Sequence, residues 1–256
     1  MLRHPRRQKG FTLMELITVI VIAGILGTMT VSFITKPMEG YIDLTRRAEL
    51  VDSADMAMRQ MARDIRAALP NSIRTPNITS IEMIRVRGGG RYDELDFSSE
   101  DTDFLVHGGG MPSGSGGRLV IYNLGTTGAD ARLGDEVITP SSSSITISGT
   151  GTQQNVTMSP GHRFPFESPL QRVYLVDQTI GYCCTANTLF RHTYAIGAGM
   201  PACSTGTPVT RHMESCSFSY DAGTEARSAL TTIQLSLAHT GERISLLHQV
   251  HVGNLP

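Results

Sequence analysis

The sequence predicts an α+β protein in which one long N-terminal helix packs on a mostly antiparallel β-sheet head. Three observations lead to this prediction. The apolar run from Phe11 to Thr35 carries a single charged residue, Glu15. Apolar residues then recur at helical spacing as far as residue 69. After Pro70, short runs alternate apolar and polar side chains with the period of a β-strand.

The N-terminus joins a basic segment to a stretch long enough to cross a membrane. Residues 1–10 contain no acidic residue and four basic ones, namely Arg3, Arg6, Arg7 and Lys9. At about 1.5 Å per residue, a helix over residues 11–36 can span a hydrocarbon core roughly 30 Å thick. The positive-inside rule keeps the basic leader cytoplasmic, so the chain after Lys36 is expected on the opposite side.

Two simpler interpretations of this N-terminus are less satisfactory. An ordinary secretory signal would be followed by a cleavage site with small residues, such as Ala-x-Ala, and the run from Phe11 to Thr35 is not. A plain membrane anchor leaves Gly10 and Glu15 unexplained, because a carboxylate within the bilayer costs several kcal/mol.

The helical pattern continues over residues 37–69. Pro37 and Gly40 are expected to kink or loosen the helix at the membrane interface, because proline lacks a backbone donor and glycine weakens a helix. Beyond them, a single apolar stripe separated by charged residues is predicted to pack on the head. The stripe consists of Leu44, Ala48, Val51, Ala54, Met58, Met61, Ile65 and Ala68.

Residues 70–256 are predicted to form a globular, β-rich head. The 26 glycines and the absence of tryptophan favour a turn-rich β domain. Strands are expected at SIEMIRV, DFLVH, RLVIYNL, SSITISG, QNVTMS, QRVYLV, TLFRHTYAI, SCSFSY, ALTTIQLSLA and RISLLHQVHV. The last two runs flank His239-Thr240-Gly241-Glu242 and predict a half-buried antiparallel hairpin.

The segment GFTLMEL, residues 10–16, resembles the prepilin processing motif of type IV pilins and type II secretion pseudopilins. The resemblance rests on a short basic leader, a glycine, an aromatic residue, a glutamate at the fifth mature position and a long apolar run. It implies a type IV pilin-like fold. It also implies that a prepilin peptidase cleaves after Gly10 and N-methylates Phe11.

Cleavage after Gly10 would give Glu15 a partner for its carboxylate. Cleavage exposes the cationic α-amino group of Phe11, and a low local dielectric strengthens its attraction to a carboxylate. When helices stack with an axial stagger, Glu15 of one subunit can meet the amino terminus of its neighbour and set the register. The alternative is a glutamate that only extends to the membrane interface.

Segments of the helix and head are similar to minor pilins of the mannose-sensitive haemagglutinin (MSHA) type and to PilW-like minor pilins. They are RRAEL, RDIRAALPNSIR, SPLQRVYLV, TLFRHTYAI, ESCSFSY and ERISLLHQVHVGNLP, whereas residues 86–160 carry little that is specific. The resemblance implies a filament subunit whose partners are other pilins and minor pilins, the prepilin peptidase and the inner-membrane assembly platform. It implies a single-pass protein of the bacterial inner membrane, with its head in the periplasm, that later enters a pilus. A J-like minor pseudopilin and an adhesin-like binding head are the alternatives.

The four cysteines lie between residues 183 and 216 and suggest disulfides in an exported head. Because a ring between the neighbours Cys183 and Cys184 would be strained, one of them is expected to pair with Cys203 and the other with Cys216, in an order left open. Zinc is the competing interpretation, but the spacing is a poor match to paired C-x-x-C ligands.

Other motifs give no support for catalysis. His107-Gly108-Gly109-Gly110 resembles an oxyanion-hole segment, but the chain has no G-x-S-x-G, so this run and Gly88–Gly90 are interpreted as flexible loops. The acidic segment of residues 93–103 lacks the spacing of a calcium loop and is interpreted as solvated. A net charge of −1 gives no reason to expect nucleic acid. We therefore predict no enzymatic activity, no cofactor and no metal.

Overall fold

The computed structural model describes residues 10–108, 110–149, 151–223 and 228–254. Over these residues one helix, α1 (Leu13–Arg66), precedes a series of antiparallel strands, which confirms the predicted α+β class. The strands are β1 (Arg74–Asn77), β2 (Ser80–Asp93), β3 (Asp101–His107), β4 (Gly114–Ser115), β5 (Arg118–Val120), β6 (Ser144–Ser148), β7 (Gln153–His162), β8 (Arg172–Cys184), β9 (Thr188–Tyr194), β10 (Thr207–Arg211), β11 (Met213–Asp221), β12 (Ala229–His239) and β13 (Glu242–Val252). The chain divides into two compact units, Met1–Glu49 and Leu50–Pro256.

The described part of the first unit is the N-terminal portion of α1, whose apolar side chains are exposed. By length and composition this helix can cross a membrane. Its threonine hydroxyls donate to backbone carbonyls one turn earlier, as from Thr30 to Leu26 at 2.7 Å and from Thr35 to Val31 at 2.9 Å. These bonds satisfy the hydroxyl groups where lipid offers no partner.

The helix continues through Pro37 and ends at Arg66. A single proline removes one backbone donor, and the turns on either side retain theirs. At the end of the helix, the amide of Ala68 donates to Ile65 O at 3.2 Å, which tightens the last turn before the chain enters the head.

In the second unit, the last turns of α1 share one core with the large sheet and with a separate three-stranded sheet. The buried helix residues are Leu50, Ala54, Ala57, Met58, Met61, Ala62 and Ile65, and Ala68 is buried just beyond the end of the helix. The predicted stripe was wrong at its start, because Leu44, Ala48 and Val51 are exposed, Leu44 at 70%. The buried stripe begins at Leu50, where the compact head unit begins.

A half-buried carboxylate fixes the helix to the sheet. Asp64 Oδ2 accepts hydrogen bonds from Tyr182 Oη at 2.6 Å and from Arg191 Nε at 2.9 Å. Burial raises the pKa of Tyr182 well above its usual range, and the hydrogen bond to Asp64 adds to that shift. Two strands, β8 and β9, are thereby tied to the last turns of α1.

A second carboxylate, Glu82 on β2, is almost fully buried. It accepts a hydrogen bond from Tyr194 Oη at 2.5 Å and forms an ion pair with Arg74. Burial raises the pKa of Tyr194, and the bond to Glu82 raises it further. A buried charge of this kind needs such partners to be tolerated.

The large sheet has the strand order β10-β9-β8-β2-β3-β7-β6-β4, with β1 added to β2 and β5 to β8. The smaller sheet has the order β11-β12-β13. In it, the predicted hairpin is confirmed, since β12 and β13 pair without a bulge from His239↔Glu242 to Ala229↔Val252. Its turn residues Thr240 and Gly241 both have positive φ, as a type I′ turn requires.

Residues 86–160, which carry little that is specific to a family, contribute most of a second core. Its buried side chains come from β2, β3, β5–β8 and the connections between them: Tyr92, Phe104, Val106, Met111, Leu119, Ile121, Ile145, Ile147, Val156, Met158, Phe164, Val173 and Leu175. Each predicted strand run overlaps an observed strand, whereas β1, β4 and β10 were not predicted.

One of the two glycine-rich runs, Gly88–Gly90, was wrongly interpreted as a flexible loop, whereas Gly108 and Gly110 do lie in the connection that follows β3. Gly88, Gly89 and Gly90 lie inside β2 and pair with β8. A Cβ on Gly88 would collide with Gly110 O and lie 2.8 Å from Met111 Cα, and a Cβ on Gly90 would lie 2.7 Å from His107 O. These glycines permit two backbone segments to approach closely, which is a known reason for glycine in a strand. Gly109 lies outside the described residues.

We expect Gly88→Ala to lower the free energy of unfolding by about 2 kcal/mol, because the new methyl group meets backbone that cannot rotate away. Gly199→Ala is the matched control, since a Cβ there meets nothing within 4 Å. Denaturant unfolding of the full chain in detergent measures both, and equal stability of the two variants would contradict this packing.

Candidate processing and assembly site

The bond between Gly10 and Phe11 lies ahead of the helix, which begins at Leu13. Both residues are exposed, Phe11 at 81%. A Cβ on Gly10 would meet nothing within 4 Å, so packing within this chain does not require a glycine there. The basic residues Arg3, Arg6, Arg7 and Lys9 lie outside the described residues.

Thr12 caps the N-terminus of the helix. Its hydroxyl oxygen accepts a hydrogen bond from the amide of Glu15 at 3.3 Å, and its carbonyl accepts the amide of Leu16 at 3.2 Å. A threonine followed three residues later by a glutamate is the sequence signature of a capping box. That signal was present in Thr12-Leu13-Met14-Glu15, but the sequence interpretation missed it.

Glu15 therefore has a contact within its own chain. Its Oε2 lies 3.5 Å from Thr12 Oγ1, and its position in the first turn places a negative charge near the positive end of the helix dipole. A carboxylate has two oxygens and about four lone-pair sites. One long contact leaves capacity for a cationic partner such as an amino group.

The adjacent cysteines connect three parts of the head. Cys183 is bonded to Cys203, and Cys184 is bonded to Cys216. Cys183 and Cys184 end β8 of the large sheet, Cys203 begins a 3₁₀ turn (Cys203–Thr205), and Cys216 lies on β11 of the smaller sheet. The second bond therefore links the two sheets covalently.

Among the described residues, one group of side chains has the composition of a metal site. Ligand atoms of Cys183, His192 and Cys203 lie within 4.8 Å of one another. Because the two sulfur atoms are bonded to each other, they offer no thiolates. His192 Nε2 lies 3.0 Å from the carbonyl oxygen of Cys203, and one imidazole does not make a zinc site.

The acidic segment satisfies its carboxylates locally. Asp96 accepts hydrogen bonds from Ser99 Oγ at 2.6 Å and from the amide and hydroxyl of Ser98 at 2.7 Å. These bonds, that of Ser99 first, lower the pKa of Asp96 to about 2. Asp101 accepts the backbone amides of Asp96, Thr102 and Asp103.

Comparison with protein families gives a match to the N-terminal segment. The family described as Prokaryotic N-terminal methylation motif matches residues 5–31, which include Gly10, Phe11 and Glu15. The chain thus carries a type IV pilin-like prepilin signal, and this signal supports a type IV pilin-like or pseudopilin subunit. Such a motif implies processing by a prepilin peptidase and assembly with other pilins. Curated proteins and solved structures give no significant match.

Proposed function

We propose that this protein is a minor pilin, a structural and assembly subunit of an MSHA-type type IV pilus, most similar to the MSHA biogenesis protein MshO. The prepilin signal at residues 5–31, which includes the first turns of an exposed apolar helix, is the observation that carries the proposal. The narrower assignment to MSHA-type minor pilins rests on the resemblance of the helical and C-terminal segments.

In this proposal the first step is proteolysis. The prepilin peptidase cleaves the bond between Gly10 and Phe11 and methylates the new amino terminus. The leader leaves with its basic residues, so the charge that held the N-terminus in the cytoplasm is lost. The exposed apolar helix can then leave the bilayer more easily and pack among the helices of a filament.

The second step is pairing between subunits. The amino group of Phe11 remains cationic after methylation, and Glu15 of a neighbouring subunit offers a carboxylate. Between apolar helices, such a pair is strongly favoured over either charge alone. It fixes the axial stagger of adjacent subunits, as a buried polar group fixes register in a coiled coil.

The experiment that tests processing is mass spectrometry of the mature N-terminus from cells that contain the prepilin peptidase. We expect a chain that begins at N-methylated Phe11. A Gly10→Val variant serves as the control and should retain residues 1–10, because its β-branched side chain alters the residue that the peptidase must accept. An unprocessed terminus in the unmodified protein would overturn the proposed class.

A further inference from the structure

Strand β13 presents a free edge. Within the described residues it pairs with β12 alone and forms the end of the three-stranded sheet. The residues that flank a two-residue I′ turn form a hydrogen-bonded pair, here His239 and Glu242, and pairs alternate from there. The amides and carbonyls that point away from β12 therefore belong to Arg243, Ser245, Leu247, Gln249 and His251. All five of these residues are exposed.

The free edge of β13 lacks the features that protect the edge strands β10, β4 and β11 from pairing with another strand. Strand β10 contains Pro208 and a shift of register, and β4 has two residues. On β11, the amide of Phe218 is bonded to Ile78 O at 2.8 Å. Strand β13 has eleven residues, no proline, no lysine and no bulge, and Leu247 at its centre is 63% exposed. Native proteins usually protect such an edge, because its unpaired backbone groups can pair with a strand of another chain.

A basic groove lies between this edge strand and α1. The groove has a volume of about 290 Å³, and among the described residues that line it, His248 comes from a strand. The helix supplies Asp55, Met58, Arg59, Ala62, Arg63 and Arg66. Arg59 pairs with Asp55 at 2.8 Å. Arg63 and Arg66 are exposed and have no ion-pair partner among the residues that the structure describes.

The geometry points to a docking site for an extended, acidic segment of a neighbouring subunit, which adds as a strand to the free edge of β13. The outward amides and carbonyls specify an extended backbone. Alternate side chains of the added strand lie on the same side as His248, beside the two unpaired arginines, and carboxylates are their complement. The inference rests on the proposed function for the identity of the partner as a pilin subunit.

The test uses the full chain in detergent micelles and a synthetic peptide of alternating glutamate and threonine, as long as β13. We expect the peptide to bind, and hydrogen exchange of the outward amides from Arg243 to His251 to slow about tenfold or more, as the formation of strand hydrogen bonds requires. A peptide with lysine in place of glutamate should have no effect. Unchanged exchange at a saturating concentration of the acidic peptide, or equal protection by both peptides, would overturn the inference.

Variants distinguish the contribution of the arginine charges to peptide binding from that of the backbone hydrogen bonds of β13. Arg63→Glu combined with Arg66→Glu should weaken binding about tenfold or more, whereas Arg211→Glu, at an exposed arginine on β10, should leave it unchanged. Gln249→Pro should also weaken binding, because it removes an outward donor at a position where an edge strand tolerates proline. Binding that all of these variants retain would refute the site.

The mature N-terminus of the same preparation is determined by mass spectrometry. Protein that is processed at Phe11 but does not bind the peptide overturns this inference and leaves the proposed function intact. Self-association of the full chain that Arg63→Glu with Arg66→Glu abolishes would assign the surface to a second copy, and would also overturn it.

Discussion

Replacing Glu15 by valine is expected to abolish incorporation into filaments while the chain still inserts into the membrane. Valine makes the helix more apolar, so insertion is favoured by the change. In the proposed filament, the methylated amino group of the neighbouring subunit would lose its carboxylate, and an unpaired charge buried between helices costs several kcal/mol. The measurement compares the amount of the variant in membrane fractions with its amount in sheared filaments, from cells that also express the other pilins.

The contact between Glu15 and Thr12 calls for a matched variant. Thr12→Val removes the side-chain cap that the structure shows, at a cost of about 1 kcal/mol, but keeps the carboxylate. If Glu15 acts between subunits, Thr12→Val should enter filaments far better than Glu15→Val. If both variants are lost from filaments to the same degree, the role of Glu15 is to cap its own helix. Normal incorporation of Glu15→Val would refute both roles.

The largest effect on the stability of the head is expected from the bond between the two sheets. Replacing Cys184 and Cys216 together by serine should lower the free energy of unfolding by about 3–4 kcal/mol, because the disulfide closes a loop with a sequence separation of 32 residues. The double replacement leaves no unpaired thiol to form a wrong bond. Denaturant unfolding of the full chain, with and without reductant, measures the effect.

The matched control is the double replacement of Cys183 and Cys203 by serine, which opens a shorter loop of 20 residues. Its cost should be slightly smaller, about 3 kcal/mol. Reductant should bring the unmodified protein below either variant, because both bonds are then lost. Peptide mapping of the exported protein without reductant should recover the Cys183–Cys203 and Cys184–Cys216 peptides. Four free thiols would contradict both disulfides.

The sequence predicted the elements in which local pattern and packing agree. In the hairpin of β12 and β13, alternation, a glycine turn and burial all point to the same register. The helix was predicted for the same reason, but the start of its buried stripe was not. Helical spacing continues through Leu44 and Ala48, and spacing alone does not state where the head begins to cover the helix.

The second core could not be predicted, because its segments meet only after long-range pairing. Gly88 and Gly110 have no sequence signal that relates them, and each looks like a loop residue when considered alone. The pairing of the adjacent cysteines was open for a similar reason, since both choices satisfy the spacing. The processing motif, in contrast, depends on local sequence alone and was predicted. The capping role of Thr12 could have been predicted from the same local sequence.

The adjacent disulfides have a mechanical consequence. In the proposed pilus, each subunit would bear load along its chain, and a stretch of polypeptide yields about 3.4 Å of length per residue when it unravels. The bond from Cys184 to Cys216 bridges a sequence separation of 32 residues and removes roughly 110 Å from the length that tension can extract. Cys183 and Cys184 are adjacent at the end of β8. Force that reaches this strand is therefore shared between the bond to Cys203 and the bond to Cys216. We therefore expect the two bonds to keep the ends of these segments connected when tension disrupts the noncovalent packing of the head.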